Sequence, residues 1–219
     1  MLCGVDEAGR GPVLGPLVVA GVAVPCSEEK ELVRMGARDS KKLAPKRREA
    51  LSEFIKERWR FEIRVVKAED IDILREEMTL NVLEAKVFAS VLDSFTSIEH
   101  AYIDAADTNE EGFARTVSSN MKNKVAITSK HGADDIYPVV SAASIVAKVE
   151  RDRHMRLLSE EMGRDAGSGY PADPRTVAFI EWWISEHGDL PPHTRRSWKT
   201  AQRLLRGKNR NIEAYGVIK

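Results

Sequence analysis

The sequence predicts an α/β fold with a helical C-terminal portion. Segments with strand character fill the first half of the chain, and segments with helical periodicity fill the last third. At 219 residues, 42% of them hydrophobic, the chain is long enough to bury a substantial core. We expect a core domain over residues 1–165 and a helical C-terminal extension with a basic tail over residues 166–219.

Five segments have the composition of strands. The second is rich in valine and leucine, and the glycine- and proline-rich stretch that separates it from the first predicts a tight or looped connection. The longest apolar run is interrupted by Gly15, Pro16 and Gly21, so it indicates a buried strand and not a segment that spans a bilayer. Strands are predicted at residues 2–6, 13–24, 60–66, 100–104 and 124–128.

Five further segments predict helices. Pro45 suits the first position of a helix, and Leu80, Leu83, Val87 and Val91 recur at the helical period. Small residues at 141–144, near the start of the longest helix, permit close approach of another backbone or of a ligand. Helices are predicted at residues 45–58, 78–95, 138–162, 176–186 and 198–205.

The charge of the chain is balanced overall but unevenly distributed. Thirty-four basic and 34 acidic side chains cancel, so composition alone does not indicate a nucleic-acid partner. Two basic clusters nevertheless suit a phosphate backbone, although solvated helix faces explain them equally well. The clusters are Arg38, Lys41, Lys42, Lys46, Arg47 and Arg48, and Arg195, Arg196, Lys199, Arg203, Arg206, Lys208 and Arg210.

The two cysteines and the N-terminus predict a cytoplasmic location. The first residues show no basic region followed by an apolar one, so no signal peptide is expected. Cys3 and Cys26 have no metal-binding spacing, which favours a reduced setting, although the two could pair. We expect a monomer with no membrane partner.

Several carboxylates lie at the ends of predicted strands and are candidates for a metal site. Metal-assisted phosphodiester hydrolysis needs converging oxygen ligands, because cations such as Mg²⁺ prefer them and two such ions lie about 4 Å apart. Asp6 and Glu7 end the first strand, and Asp104 ends the strand at 100–104. Neighbouring side chains of a strand point to opposite faces, so Asp6 and Glu7 share a metal only if the strand ends or bends there. A solvated turn explains the pair as well.

Three other aspartates remain ambiguous on local chemistry. Asp107 follows the same strand as Asp104 and suits the N-cap of a helix that begins near Asn109. Asp134 and Asp135 precede Pro138, and either one could cap the long helix or bind a ligand. Local chemistry does not separate the two.

The segment Gly9-Arg10-Gly11-Pro12 predicts a loop that approaches a ligand closely. It lacks the Lys-Ser/Thr of a phosphate-binding P-loop, and Pro12 does not fit the glycine-rich turn that opens a dinucleotide-binding helix. The glycines allow the backbone to come near a ligand, and Arg10 or backbone N–H groups can contact a phosphate or a hydroxyl.

Five blocks of the sequence carry a recognisable pattern. They are Asp6-Glu7-Ala8-Gly9-Arg10-Gly11-Pro12, Asp39-Ser40-Lys41-Lys42-Leu43, Tyr102-Ile103-Asp104-Ala105-Ala106-Asp107 with Ala133-Asp134, residues 137–148, and Gly167-Ser168-Gly169-Tyr170-Pro171. Taken in order, these blocks resemble type 2 ribonuclease H, the ribonuclease HII family, over about residues 2 to 200. One departure is Gly132, where the family pattern leads us to expect a lysine before Ala133.

The resemblance implies a ribonuclease H-like fold, in which helices flank a mixed five-stranded sheet and a helical extension follows at the C-terminus. It also implies the metal ligands, which are Asp6, Glu7, Asp104 and Asp134, and a divalent cofactor, Mg²⁺ or Mn²⁺. Asp107 and Asp135 then take structural roles.

The activity that the resemblance implies is an endonuclease that cuts the RNA strand of RNA–DNA hybrids. The same resemblance implies cleavage on the 5′ side of ribonucleotides embedded in duplex DNA, with 3′-hydroxyl and 5′-phosphate ends. Gly9, Arg10 and Gly11 would sense the ribose 2′-hydroxyl, Tyr170 would pack at the RNA-to-DNA junction, and Lys41 and Lys42 would contact phosphate. The tail after Leu205 lacks the aromatic pair of a sliding-clamp motif, so no clamp contact is expected.

Two alternatives remain open from the sequence. One is a different ribonuclease H-like nuclease, such as a resolvase, and the other is a non-catalytic nucleic-acid-binding protein on a decayed nuclease fold. The Gly-Arg-Gly segment and Tyr170 argue against the first, and the retention of all four carboxylates argues against the second.

Overall fold

The structure contains a mixed five-stranded sheet with flanking helices, which confirms the predicted α/β class. The computed structural model describes residues 1–36 and 43–215, and side chains are described up to residue 207. In spatial order the strands run β3-β2-β1-β4-β5; β1 pairs antiparallel with β2 and parallel with β4, and β4 pairs parallel with β5. The strands are β1 (Leu2–Ala8), β2 (Leu17–Val24), β3 (Arg60–Val66), β4 (His100–Asp104) and β5 (Ala126–Lys130).

Helices flank the sheet and make up the C-terminal region. Proline opens α2, α7 and α8, where its missing N–H has no intrahelical partner to lose. The helices are α1 (Glu29–Arg34), α2 (Pro45–Arg58), α3 (Ala68–Leu74), α4 (Leu80–Leu92), α5 (Glu110–Asn120), α6 (Ala133–Ile136), α7 (Pro138–Glu161), α8 (Pro174–His187) and α9 (Lys199–Tyr215).

The pleat of β2 divides its valines between two hydrophobic clusters. Val18, Val22 and the other even-numbered residues pack with α2 and α7, whereas Val19 and Ala23 pack with α4 and α5. Because both faces of β2 are covered, the strand is a continuous hydrophobic run without alternation.

The second strand begins at Leu17 and not at residue 13, so its predicted start was wrong. Gly15 has φ 91°, a left-handed conformation that interrupts a strand, and Pro16 follows it. Val13 and Leu14 are buried, but in a third hydrophobic cluster with Phe179 of α8. Leu14 forms an isolated antiparallel bridge with Thr194, outside the five-stranded sheet. The apolar character of Val13 and Leu14 therefore reflects packing in this cluster and not membership of β2.

The chain divides into two compact units. The first comprises residues 1–8, 18–65 and 77–151 and contains the paired strands of the sheet with the first two hydrophobic clusters. The second comprises residues 9–17, 66–76 and 152–219 and is organised around the third cluster. These bounds differ from the segments 1–165 and 166–219 predicted from the sequence. That those two segments form separate domains stays a prediction.

Both cysteines are free. Cys3 is buried in β1, and its burial raises the pKa of the thiol, whereas Cys26 is exposed. Within the described part of the chain, no helix combines the length and apolarity needed to cross a membrane.

Candidate active site

Three carboxylates converge where β4 ends beside the last residues of β1. Asp6 and Glu7 lie on β1 and Asp104 is the last residue of β4; one ligand oxygen from each lies within 4.8 Å of the others. Parallel neighbouring strands bring their carboxyl ends to one edge of a sheet, and the register that pairs Val5 with Ile103 places Asp6 beside Asp104. We call Asp6, Glu7 and Asp104 the carboxylate trio.

The strand that carries Asp6 and Glu7 does not end between them. β1 continues to Ala8, yet the Glu7 carboxylate still reaches the trio. An Asp6 oxygen accepts the backbone N–H of Glu7 at 2.7 Å. Asp104 accepts the N–H of Ala133 at 2.6 Å, which joins the end of β4 to the first residue of α6.

Asp134 and Asp135 occupy opposite environments on α6. Asp134 is buried, with 4% of its surface exposed, whereas Asp135 is exposed. Successive residues of a helix point about 100° apart, so only one of the two faces the protein interior. Asp134 lies outside the carboxylate trio, and its Oδ2 is 3.9 Å from the Lys148 ammonium.

The surroundings of Asp6 disfavour its charged form. Burial is the main cause of the raised pKa of Asp6, and the negative charge of Asp134 acts in the same direction. A hydrogen bond with Ser144 and the charge of Lys148 act against this shift without cancelling it. A site made of oxygen donors that crowds negative charge in this way fits a hard divalent cation.

Ser144 and Lys148 belong to this site, although the sequence analysis noted Ser144 only as a small residue and assigned Lys148 no role. The two residues are four apart on α7 and therefore share a face of the helix. The Lys148 ammonium donates to the Ser144 hydroxyl at 2.5 Å. Their spacing in the block 137–148 is the signal that could have identified them.

Asp107 does not cap α5, so that interpretation was wrong. The Asn109 side chain caps the helix by accepting the N–H of Gly112 at 2.8 Å. The Asp107 carboxylate instead accepts a hydrogen bond from the backbone N–H of Asn109 at 3.1 Å, and another from the side-chain amide of Asn81. It therefore holds the loop that follows β4.

The predicted ribose-sensing loop, residues 9–11, lies beside the predicted junction tyrosine within the second unit. Gly9 has φ 91°, which a side chain would strain, and a Cβ on Gly11 would lie 3.8 Å from Cε1 of Tyr170. The N–H groups of Val13 and Leu14 donate to the carbonyl of Gly169, at 2.9 and 3.2 Å. The Tyr170 side chain is 40% exposed and so remains accessible to a ligand.

Only part of the predicted phosphate-binding surface lies within the described residues. Lys41 and Lys42 fall outside them. Lys199, Arg203 and Arg206 line one shallow groove on α9, and Lys46 and Arg47 are exposed in the first turn of α2.

Comparison with known proteins identifies one family across the chain. The family model of ribonuclease HII matches residues 3–201. Ribonuclease HII of Methanoregula boonei is 47% identical over 96% of this chain and 97% of its own length.

Two solved structures share the fold at full length. The ribonuclease H2 of Pyrococcus horikoshii has a TM-score of 0.89 and 37% identity, covering 96% of this chain and 99% of its own. The ribonuclease HII solved as a PCNA complex from Archaeoglobus fulgidus has a TM-score of 0.85 and 42% identity, covering 93% and 96%. These matches confirm the ribonuclease H-like fold. The chain belongs to the ribonuclease HII family, and it is a metal-dependent endoribonuclease that hydrolyses phosphodiester bonds in RNA–DNA hybrids.

Proposed function

We propose that this enzyme also cuts duplex DNA on the 5′ side of single embedded ribonucleotides, leaving 3′-hydroxyl and 5′-phosphate ends. The observation that carries the proposal is the carboxylate trio, in which oxygens from two adjacent parallel strands converge within 4.8 Å. In the second unit, Tyr170 lies against Gly11 and supplies a candidate for reading the position of the ribonucleotide.

Asp6, Glu7, Asp104 and Asp134 are the proposed ligands of the divalent metal. When bound, such a metal supplies an activated water and neutralises charge at the leaving oxygen. In the hydrolysis the water oxygen would bond to phosphorus and the water would give up a proton, while the bond from phosphorus to the 3′-oxygen breaks and that oxygen takes up a proton to become the 3′-hydroxyl. Mg²⁺ and Mn²⁺ both accept ligands of this kind.

The residues around the carboxylates hold them in place for this role. The Ala133 N–H holds Asp104 at the end of β4, and the Glu7 N–H holds Asp6. Lys148 lies between Ser144 and Asp134, so it partly balances the negative charge of the site. Preorganised groups of this kind need little rearrangement during the reaction.

Recognition of the substrate is proposed to fall to residues 9–11 and to Tyr170. Backbone N–H groups in the loop can donate to a ribose 2′-hydroxyl, the group that distinguishes RNA from DNA. The exposed ring of Tyr170 offers an apolar face for the nucleotide at the RNA-to-DNA junction. Lys41, Lys42 and the basic groove of α9 would contact phosphates.

Protein partners remain proposals. The Archaeoglobus relative was solved with PCNA, whereas the tail of this chain, starting Arg206-Gly207-Lys208-Asn209, has no aromatic pair typical of a clamp motif. Side chains after residue 207 lie outside the described ones, so the lack of a clamp contact stays a prediction, as does the monomeric state.

The test compares three duplexes of one sequence, which are all-DNA, DNA with one ribonucleotide, and a full hybrid. We expect Mg²⁺-dependent cleavage of the single-ribonucleotide duplex and of the full hybrid, and EDTA should abolish both. In the single-ribonucleotide duplex the nick should lie 5′ of the ribonucleotide. Its 3′-hydroxyl and 5′-phosphate ends should be closed by DNA ligase. A nick on the 3′ side, or ends that ligase rejects, would contradict the proposal. Cleavage of a four-way junction in preference to these duplexes would point to a resolvase.

Replacement of Tyr170 tests the junction role. Tyr170→Ala should lower kcat/KM for the single-ribonucleotide duplex by about tenfold, the equivalent of one lost stacking contact, and spare the full hybrid. Tyr170→Phe keeps the ring and serves as the matched control. Equal losses on both substrates would show that Tyr170 does not read the junction.

A further inference from the structure

Among the described residues, Arg195 is the largest fully buried side chain, and it binds the backbone of the proposed ribose-sensing loop. Its guanidinium donates to the carbonyls of Gly9 at 2.5 Å, Arg10 at 2.8 Å and Gly15 at 3.2 Å. All four residues belong to the second unit. A planar guanidinium with several donors in a fixed arrangement can hold several carbonyls at once, which a lysine ammonium does less well.

These hydrogen bonds determine which way the peptide groups of the loop face. In a trans peptide the C=O and the following N–H point in opposite directions. Because the carbonyls of Gly9 and Arg10 point at Arg195, the N–H groups of Arg10 and Gly11 point away from it. Arg195 therefore presents two backbone donors on the opposite side of the loop.

Arg195 is itself held from several directions. Its N–H donates to the carbonyl of Val13 at 2.8 Å. Its guanidinium lies 5.0 Å from the centre of the Trp198 ring, and the guanidinium of Arg75 lies 4.9 Å from the same ring. Arg75 also donates to the Ser197 hydroxyl at 3.3 Å.

Asp72 of α3 holds the segment that carries Arg195. It accepts the N–H groups of Arg196 at 2.6 Å and Ser197 at 3.2 Å. The Ser197 hydroxyl also donates to Asp72, at 2.6 Å. The position of the guanidinium is thus set by contacts outside the loop.

We infer that Arg195 is a positioning residue for ribose recognition, which sets the discrimination between a ribonucleotide and a deoxyribonucleotide by orienting the N–H groups of Arg10 and Gly11. The inference rests on the proposed function, because it assigns those donors to the 2′-hydroxyl. Arg195 contacts no part of the substrate in this role. It acts through the peptide groups that it holds.

The test uses Arg195→Lys, which keeps the charge but not the array of donors. Duplexes with and without one ribonucleotide are bound in an Asp104→Asn background with Mg²⁺, so that they stay uncut. We divide the Kd for the all-DNA duplex by the Kd for the duplex with one ribonucleotide. This ratio should fall by about fivefold in Arg195→Lys, the contribution of one hydrogen bond. The affinity for Mn²⁺, measured by calorimetry with Asp104 intact, should remain unchanged, because the guanidinium of Arg195 donates to carbonyls of the loop.

Arg164→Lys is the matched control, because its guanidinium also lies over an indole, 4.4 Å from the Trp182 ring, without binding the loop. It should leave the ratio unchanged. If Arg195→Lys does not fold, Arg75→Ala removes the outer contact on Trp198 and should lower the ratio by about twofold.

The two hypotheses fail differently. A wild-type enzyme that neither prefers nor cuts the ribonucleotide duplex would contradict the proposed function. Suppose instead that the wild-type enzyme prefers and cuts the ribonucleotide duplex. If folded Arg195→Lys, or Arg75→Ala in its place, then keeps the wild-type ratio of Kd values, only the positioning role of Arg195 is overturned. Equal weakening of both duplexes would also overturn it, because that result indicates a general loss of structure.

Discussion

Aspartates that look alike in the sequence differ in the structure because of what covers them. Asp134 is buried beside Lys148, whereas its neighbour Asp135 is exposed. Asp104 belongs to the carboxylate trio, whereas Asp107 holds a loop three residues later. Burial among other charges is what makes a carboxylate a candidate for metal binding, and the local sequence does not report it.

The pair Asp134 and Asp135 allows a controlled test of the fourth proposed ligand. Asp134→Asn should lower kcat by about 100-fold or more, because a lost metal ligand removes several kcal/mol of charge stabilisation. Asp135→Asn removes the same charge one residue away and should stay within about twofold, as surface substitutions generally do. Wild-type kcat and Mn²⁺ affinity in Asp134→Asn would remove Asp134 from the metal site.

At the scale of elements, the site depends on how closely β1 approaches α7. A Cβ on Gly4 would lie 2.2 Å from the carbonyl oxygen of Val139. That oxygen belongs to backbone, so it cannot move aside as a flexible side chain can. This close approach lies at Val139, two residues before the small residues 141–144 at which one was predicted, and it brings the strand that carries Asp6 against the helix that carries Ser144.

Gly4→Ala should therefore destabilise the protein strongly. We expect the free energy of unfolding to fall by about 3 kcal/mol or more, since overpacking of a rigid contact forces the backbone to shift. Gly207→Ala is the control, because nothing lies within 4 Å of its Cβ position on α9; it should raise stability by up to about 1 kcal/mol. Urea denaturation measures both, and equal effects would contradict this account of Gly4.

At the scale of the whole molecule, a neutral net charge does not prevent attraction to nucleic acid. The 34 basic and 34 acidic residues cancel in the total, but Lys199, Arg203 and Arg206 share one groove on α9. Attraction to phosphates depends on such local patches, because salt screens charges that lie more than about 8–10 Å away.

The salt dependence of binding tests this surface. The double variant Arg203→Gln, Arg206→Gln should reduce the slope of log K against log salt for a hybrid duplex by up to about 2, one unit for each lost phosphate contact. Arg60→Gln with Arg115→Gln changes the net charge equally at exposed positions of β3 and α5 and should leave the slope unchanged. Both slopes are measured by anisotropy titrations between about 50 and 200 mM salt, the range in which such contacts are lost. Equal slopes for the two double variants would exclude α9 as a contact surface.

Much of the fold was predictable because local signals agree with the tertiary structure. The helix at 45–58 was predicted with both its ends, since Pro45 opens it and strand residues follow. The short helices α1 and α3 were not predicted, because six or seven residues carry too little periodicity. The strand at 124–128 was shifted by two residues, since pairing with β4 and not composition sets its limits.

Residue types at a local spacing were enough to predict the sheet-and-helix class, the Gly-Arg-Gly loop, and Asp6, Glu7 and Asp104 as candidate ligands. The structure was needed to show that Asp134 is buried while Asp135 is exposed, and to add Ser144 and Lys148 to the site. It was also needed to show that Arg195 binds the carbonyls of Gly9 and Arg10. The difference arises from the distance along the chain over which each contact forms. Periodicity reveals which side of an element is buried, but the partner that covers it is set by contacts such as the pairing of β1 with β4, about 100 residues away, or Arg195 with Gly9, 186 residues away.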